Sequence, residues 1–452
     1  MQSPEGCGCC IAPMPSGDCA FSGYGVQGRS LLPRLAELPE FGGRDNIAQF
    51  AWYGLQGGMH TVDGFRVYPA GMDAYGNDVI GPHSRHFGAN VVVSLIDVWV
   101  MKETAQKIAP ALWLPWTPID HDPIPEAVLQ SLQGAHTTLA YSKWGAEMLT
   151  SAGVKNEYIP HGIEPSIYRV NPDFGQVANF KRDIMRADNQ FLGIIVAANK
   201  GFPDRKAFQV QLHAWANFAK DKPDARLYIH TEPTPLYGGI DFGQLLQRLG
   251  IVDKVIFPDR YAYYLGFPAE FLALAYNAAD VLLGNSMSEG FGIPIIEAQA
   301  CGTPAIVTDF SAMPELVRWG HVIQPADLFW TPMNSWQAWP DHQAITEALE
   351  EYYQAWLDNS RCWSPEQRSQ TSKQIHDEYS WDSIVRDYWI PFVARLANEA
   401  PALNQHANQD AAPPKPNAPT VKRVEPKRRG QIRVVNPNGQ HDNDEAVVLS
   451  KS

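Results

Sequence analysis

The chain has no run of about eighteen apolar residues, so no segment reads as a helix that spans a bilayer. Its first residues lack the basic start and continuous apolar stretch of a secretory signal. The expectation is a cytoplasmic protein with at most peripheral membrane contact. Positive charge is also scarce: 36 Lys and Arg face 49 Asp and Glu, for a formal net charge of −13. That balance argues against a general nucleic-acid binder. Cysteine is sparse too, and six residues in so long a chain are too few and too clustered for a disulfide framework. Cys7, Cys9, Cys10 and Cys19 offer four thiolates for zinc, yet their CxCC spacing is unlike the paired CxxC of structural sites. Cys301 sits between a helical pattern and an apolar strand, as buried filler does.

What is present is enough for two ordinary domains. The 452 residues are 45% apolar and carry 14 Trp and 17 Tyr. The chain is organised around residues 280–317. An apolar strand, 281–284, ends in Asn285 and Ser286; a loop holding Gly290 and Gly292 opens a helix that closes at Cys301-Gly302; a second apolar strand, 304–308, follows. This is a β-loop-α-β unit of a parallel sheet, with its loop at the carboxyl edge where such sheets bind ligands. Glu289 lies in the loop and Glu297 on the helix, eight residues apart. Carboxylates beside a phosphate repel it, so both suit sugar hydroxyls better, while Gly290 and Gly292 let the backbone approach a ligand. The same two acids also suit an N-cap-like residue and a surface helix position.

Upstream, residues 1–20 read as irregular. Gly23 and Gly25 precede a helical pattern, as an ordinary tight turn or a phosphate cradle does. Buried parallel strands are expected at 91–98 and 112–115. The second breaks into a proline-bracketed His121 flanked by Asp120 and Asp122, placed to face a cleft or simply to fill a loop. A short strand at 157–160 leads into His161. Residues 169–190 read as a polar linker. A second α/β series starts at 191–198, and Lys200, Arg205 and Lys206 follow its first strand. Three cations at a sheet's carboxyl edge, near a helix N-terminus, match a diphosphate, though a solvated basic turn has the same composition. An aromatic segment with Trp330, Trp336 and Trp339 precedes helices near 342–358, 365–378 and 381–398. Beyond 400, Pro, Asn and Gln dominate, with eight Lys or Arg against five Asp or Glu in 401–452, as in a disordered basic tail.

The segment SEGFGIPIIEAQACGTPAIVTD resembles the Glu-x7-Glu signature of the family 4 retaining glycosyltransferases. NKGFPDRKAF is similar to that family's basic diphosphate loop, YIPHGIEPSIY to its interdomain segment and SGYGVQ to its N-terminal glycine loop, so that the likeness spans about residues 20–398. The resemblance implies an α/β fold of two Rossmann-like domains facing across a cleft (GT-B), with a C-terminal helix crossing back to the first domain. The expected division is 1–20 irregular, 21–180 acceptor domain, 181–380 nucleotide-sugar domain, 381–398 crossover helix and 400–452 tail.

The implied activity is transfer of a hexosyl group, with retention, from a nucleotide-diphosphate sugar to a hydroxyl acceptor, with no further cofactor and no metal. The resemblance assigns Glu289 and the backbone of Gly290, Phe291 and Gly292 to the donor sugar and Glu297 to the ribose. Lys200 or Arg205, together with Lys206, takes the diphosphate; His121 lies near the donor sugar and acceptor; Gly23 and Gly25 lie near the phosphates. Catalytic roles fall on His121, Glu289 and Lys206. The chain departs from the family in its poor first strand and in Asn199-Lys200 where an Arg after Gly is common. Two alternatives share the fold: a nucleotide-sugar or glycan-binding protein that has lost catalysis, and a sugar-nucleotide epimerase.

Overall fold

The computed structural model describes residues 9–14, 23–51, 57–201, 203–235, 238–359, 364–397 and 432–435. The first sheet holds β1 (Cys9–Met14), β2 (Ile47–Ala51), β3 (His60–Val62), β4 (Phe65–Tyr68), β5 (Val91–Leu95), β6 (Leu112–Thr117), β7 (Thr138–Ala140) and β8 (Asn156–Tyr158). Its order is β3-β4-β2-β1-β5-β6-β7-β8, parallel throughout except for the β3–β4 hairpin. Every residue of β5 is buried, as a strand covered on both faces requires.

Two expectations for the N-terminal region are corrected. Residues 9–14, read as irregular, form the strand between β2 and β5, with a register shift against β2 between Ile11 and Met14. Their composition hides the strand because pairing on both edges, not local propensity, holds it there. Gly23 and Gly25, expected to precede a helix, instead lie in the first turn of the helix Gly23–Ala36. Cys7 and Cys19 lie outside the described residues, as do the side chains of Cys9 and Cys10.

The second sheet holds β9 (Phe191–Val196), β10 (Ala225–His230), β11 (Val255–Ile256), β12 (Val281–Gly284), β13 (Ala305–Thr308) and β14 (Gly320–Ile323). Strands β15 (Asp327–Trp330) and β16 (Trp336–Trp339) make a separate antiparallel hairpin, and β17 (Ile432–Val435) joins β14 antiparallel at the sheet edge. The order is β11-β10-β9-β12-β13-β14-β17. Thus the expected disordered tail includes a paired strand at Ile432–Val435, where the ladder of β14 supplies partners that the tail's own composition does not reveal. The rest of 400–452 lies outside the described residues.

The polar segment at 169–190 contains the helix Phe174–Asp183, so the expected boundary at 180/181 falls inside an element. Phe180 packs edge-on to Phe271, and Lys181 pairs with Asp280 at 2.9 Å, which ties this helix to the second domain. At the other end, Ser364 and Gln367 form a capping box that starts the helix Pro365–Tyr379. The chain then turns at Ser380 and crosses back. Trp389 packs on Trp116 with ring centroids 5.4 Å apart, Tyr388 meets Tyr158, and Asp382 pairs with Arg34 at 2.8 Å. Two Rossmann-like domains with a returning C-terminal helix make the GT-B architecture, as expected.

Candidate functional site

The loops at the carboxyl ends of β9 and β12 meet. Met287 donates its N–H to the Arg205 carbonyl at 2.8 Å, and Arg205 Nη1 donates to the Ser288 carbonyl at 2.5 Å. This lacing places both cations against Glu289. Lys206 Nζ lies 2.5 Å from Oε1 and Arg205 Nη1 3.2 Å from Oε2, while Ser286 Oγ donates to Oε1 at 2.5 Å. Burial by itself would raise the Glu289 carboxyl, but the Lys206 and Arg205 charges and the hydrogen bonds from Lys206 and Ser286 bring it down to about 2. The acid is therefore ionised across the physiological range. Lys200 is exposed on the same β9 loop, next to buried Asn199, whose amide is bonded to the 232–240 segment.

Behind Glu289 the chain enters the helix Ile293–Ala300 through Gly292, which takes φ 111° and offers no side-chain cap. An L-residue is strained at that angle, so glycine is required where the loop turns into the helix beside the carboxylate. Pro294 brings no N–H to this first turn, and Ile295 N donates to the Gly292 carbonyl at 2.9 Å. A pocket here is lined by Val196, Lys206, Ser286, Glu289, Gly292 and Pro294, among others. Neither bland reading of the two acids holds: Glu289 caps no helix, and Glu297 is 7% exposed. Glu297 faces tyrosines: Tyr276 donates to its Oε2 at 2.9 Å, and Tyr168 bonds it too. Burial raises this carboxyl to about 7, against the pull of both hydroxyls. Phe291 turns its side chain into the domain interface, edge-on to His161.

The first domain meets this loop directly. A Cβ built on Gly290 would lie 2.3 Å from Pro118 Cβ. Two residues on, Asp120 lies 3.8 Å from Arg205 and accepts from His121 Nδ1 at 2.7 Å. Burial would raise the Asp120 carboxyl, yet its bond to His121 and the Arg205 charge hold it low. So Arg205, Lys206, Glu289, Gly290 and Gly292 converge, with His121 joined to them through Asp120. In the sequence Asp120 is only a flank of His121; its link to Arg205 depends on a contact between domains that no local pattern encodes. His161 is not in this cluster: it is boxed by Trp116, Tyr141 and Phe291, and burial drops its pKa to about 3.

Among the described residues no cluster of metal-ligating side chains is found, and no helix is long and apolar enough to cross a membrane.

Residues 193–353 match the family model described as glycosyl transferases group 1. An uncharacterized glycosyltransferase of Methanocaldococcus jannaschii is 24% identical over 244 residues, covering 52% of each chain. Mannosylfructose-phosphate synthase of Agrobacterium fabrum is 30% identical over 188 residues, 40% of this chain and 39% of that one. The chain thus spans about half or less of these relatives' length. Among solved structures, sucrose-phosphate synthase of Thermosynechococcus elongatus superposes with a TM-score of 0.64 at 16% identity, over 86% of this chain and 99% of that one. The Anabaena protein HepE in complex with UDP and glucose gives 0.61 at 15% identity, over 85% and 100%. The chain has the GT-B fold and shares it with these solved structures, and residues 193–353 of it match the model of glycosyl transferases group 1.

Proposed function

We propose that this protein is a retaining glycosyltransferase that moves a hexosyl group from a nucleotide-diphosphate sugar to a hydroxyl acceptor. The observation that carries the reading is the convergence of Lys206, Arg205 and Glu289 beside the start of the helix Ile293–Ala300, with Asp120 of the other domain 3.8 Å from Arg205 and His121 bonded to Asp120. Further support comes from the matched family model and from a neighbour of the same fold whose structure holds UDP and glucose.

In this reading Lys206 and Arg205 hold the diphosphate, helped by Lys200 and by the positive end of the helix Ile293–Ala300, and they offset charge as the leaving group departs. Glu289 accepts hydroxyls of the hexose, and His121 sits near its anomeric side. Glu297 serves the ribose, as the resemblance implies, and Gly23 and Gly25 lie near the phosphates at the start of their helix. The bond from the anomeric carbon to the diphosphate oxygen breaks and a bond to the acceptor oxygen forms on the same face. The acceptor proton passes to the departing phosphate oxygen. Glu289 and Glu297 are not a hydrolase acid–nucleophile pair, because each is already engaged by its own donors. We place the reaction in the cytoplasm, with the nucleotide sugar as donor substrate rather than cofactor.

A thermal-stability screen of UDP-, GDP- and ADP-hexoses tests the reading, since a donor that binds the folded chain raises its melting temperature. One of them should also be hydrolysed slowly without acceptor. Absence of both effects across the panel refutes it.

A further inference from the structure

The hairpin β15–β16 is seated on both halves of the candidate site. The outer edge of β16 is shared between two loops. Trp336 exchanges both backbone hydrogen bonds with Asp122, the residue after His121, at 2.7 and 3.2 Å. Two residues on, Ala338 donates to the Met287 carbonyl at 2.9 Å, and Gln337 Nε2 donates to Ser288 Oγ at 2.7 Å. The hairpin is therefore fastened to the residues on either side of the cleft, one of them adjacent to Glu289.

Trp330 and Trp336 are cross-strand partners in this hairpin, so their side chains emerge on the same face. Their indoles meet at 68° with centroids 4.6 Å apart, and they are 48% and 37% exposed. Tryptophans this exposed are unusual, because the indole is among the largest apolar surfaces a residue can bury. Two indoles at this angle make a corner with open apolar faces, and Asp122, paired antiparallel with Trp336, brings a polar side chain to the same face. A pyranose ring has the matching character: C–H faces that lie against an aromatic ring, and a rim of hydroxyls that hydrogen-bond to polar neighbours. A protein partner's side chains have no such need for a polar rim beside a two-ring corner.

We infer that Trp330 and Trp336 form an acceptor subsite in which a sugar ring of a saccharide acceptor stacks, held by the hairpin beside His121 and Glu289. The inference rests on the glycosyltransferase reading and adds the chemical class of its acceptor. It places part of acceptor recognition on the second domain, through an element that follows β14.

The experiment uses the full chain on an array of hexose-containing mono- to hexasaccharides. Wild type should bind at least one of them, and W330A/W336A should bind it at least tenfold more weakly. W330F/W336F, which keeps two aromatic faces, should stay within about threefold of wild type. Trp339 lies in the same hairpin but on the opposite face by strand alternation, and W339A should bind as wild type does. The rise in melting temperature caused by UDP, GDP or ADP, measured on each variant, reports an intact donor half. If a nucleotide stabilises every protein yet W330A/W336A binds saccharide as well as wild type, the inference fails and the glycosyltransferase reading stands. Absence of any saccharide binding by wild type also overturns the inference. Absence of nucleotide stabilisation overturns the reading beneath it.

Discussion

Lys206 Nζ lies 2.5 Å from Glu289 Oε1, with both side chains mostly shielded from solvent at 22% and 13% exposure. The pair joins the basic loop after β9 to the loop after β12, and it fixes what each charge can do for a ligand. Glu289 partly cancels the two cations that a diphosphate would need. Glu289→Gln should therefore bind UDP, or the nucleoside diphosphate that binds wild type, at least as tightly, by as much as about tenfold. Transfer should fall by about two orders of magnitude, because the neutral amide holds the hexose hydroxyls less strongly. Calorimetry and a transfer assay on one preparation read both effects. Weaker diphosphate binding together with unchanged transfer contradicts this division of labour.

Gly290 touches Pro118 so closely that a methyl group there would overlap it. The close approach, not backbone freedom, is the reason for glycine at this position. Gly290→Ala should push the Glu289 loop away from the Asp120–His121 loop and lower transfer at least tenfold. The cost in stability should stay at about 1–3 kcal/mol, the usual range for overpacking. Urea denaturation alongside the transfer assay measures the two separately.

Burial raises the Glu297 carboxyl from 4.5 to about 7. A carboxyl whose folded value lies above its unfolded value binds its proton more tightly in the folded chain. Its contribution to stability is full below pH 4.5 and is lost as pH rises through about 7. The size is about 3 kcal/mol for a shift of this extent. Glu297→Gln removes the titration, so its melting temperature should fall less than that of wild type between pH 5 and pH 8. Parallel curves for the two proteins would show that Glu297 does not titrate in this window.

Glu315 of the second domain accepts hydrogen bonds from the N–H groups of Lys143 and Trp144, at 3.0 and 3.3 Å, and so caps a first-domain helix. Ser142 caps the same helix from within, at Gly145 N. Glu315→Ala should cost about 1 kcal/mol, as lost caps do, and Glu315→Gln less, because an amide oxygen still accepts. Urea melts at constant pH measure the difference.

Much of this could be read along the chain, and the misses have a common physical cause. The run VVVSL and the unit from β12 through β13 announce buried parallel strands by composition, and Ser142 announces its helix by capping chemistry. Glu289, Arg205 and Lys206 stand out because acids and cations at strand ends have few structural duties. By contrast, β1 is a strand only because β2 and β5 pair with it, and β17 because β14 does. The aromatic segment at 327–339 showed its tryptophans but not its hairpin, whose outer edge is satisfied by Asp122 and Met287. Asp120 gains its meaning from Arg205, 85 positions away. Features held by partners distant in sequence leave no periodic trace.

The grip of Lys206 on a diphosphate is the central claim, and calorimetric titration of UDP, GDP and ADP into wild type and Lys206→Met tests it most directly. The account predicts that at least one of the three binds wild type and that the variant binds it at least tenfold more weakly, while circular dichroism shows the variant folded. Equal affinity in the two proteins, or no binding by wild type to any of the three, would contradict it.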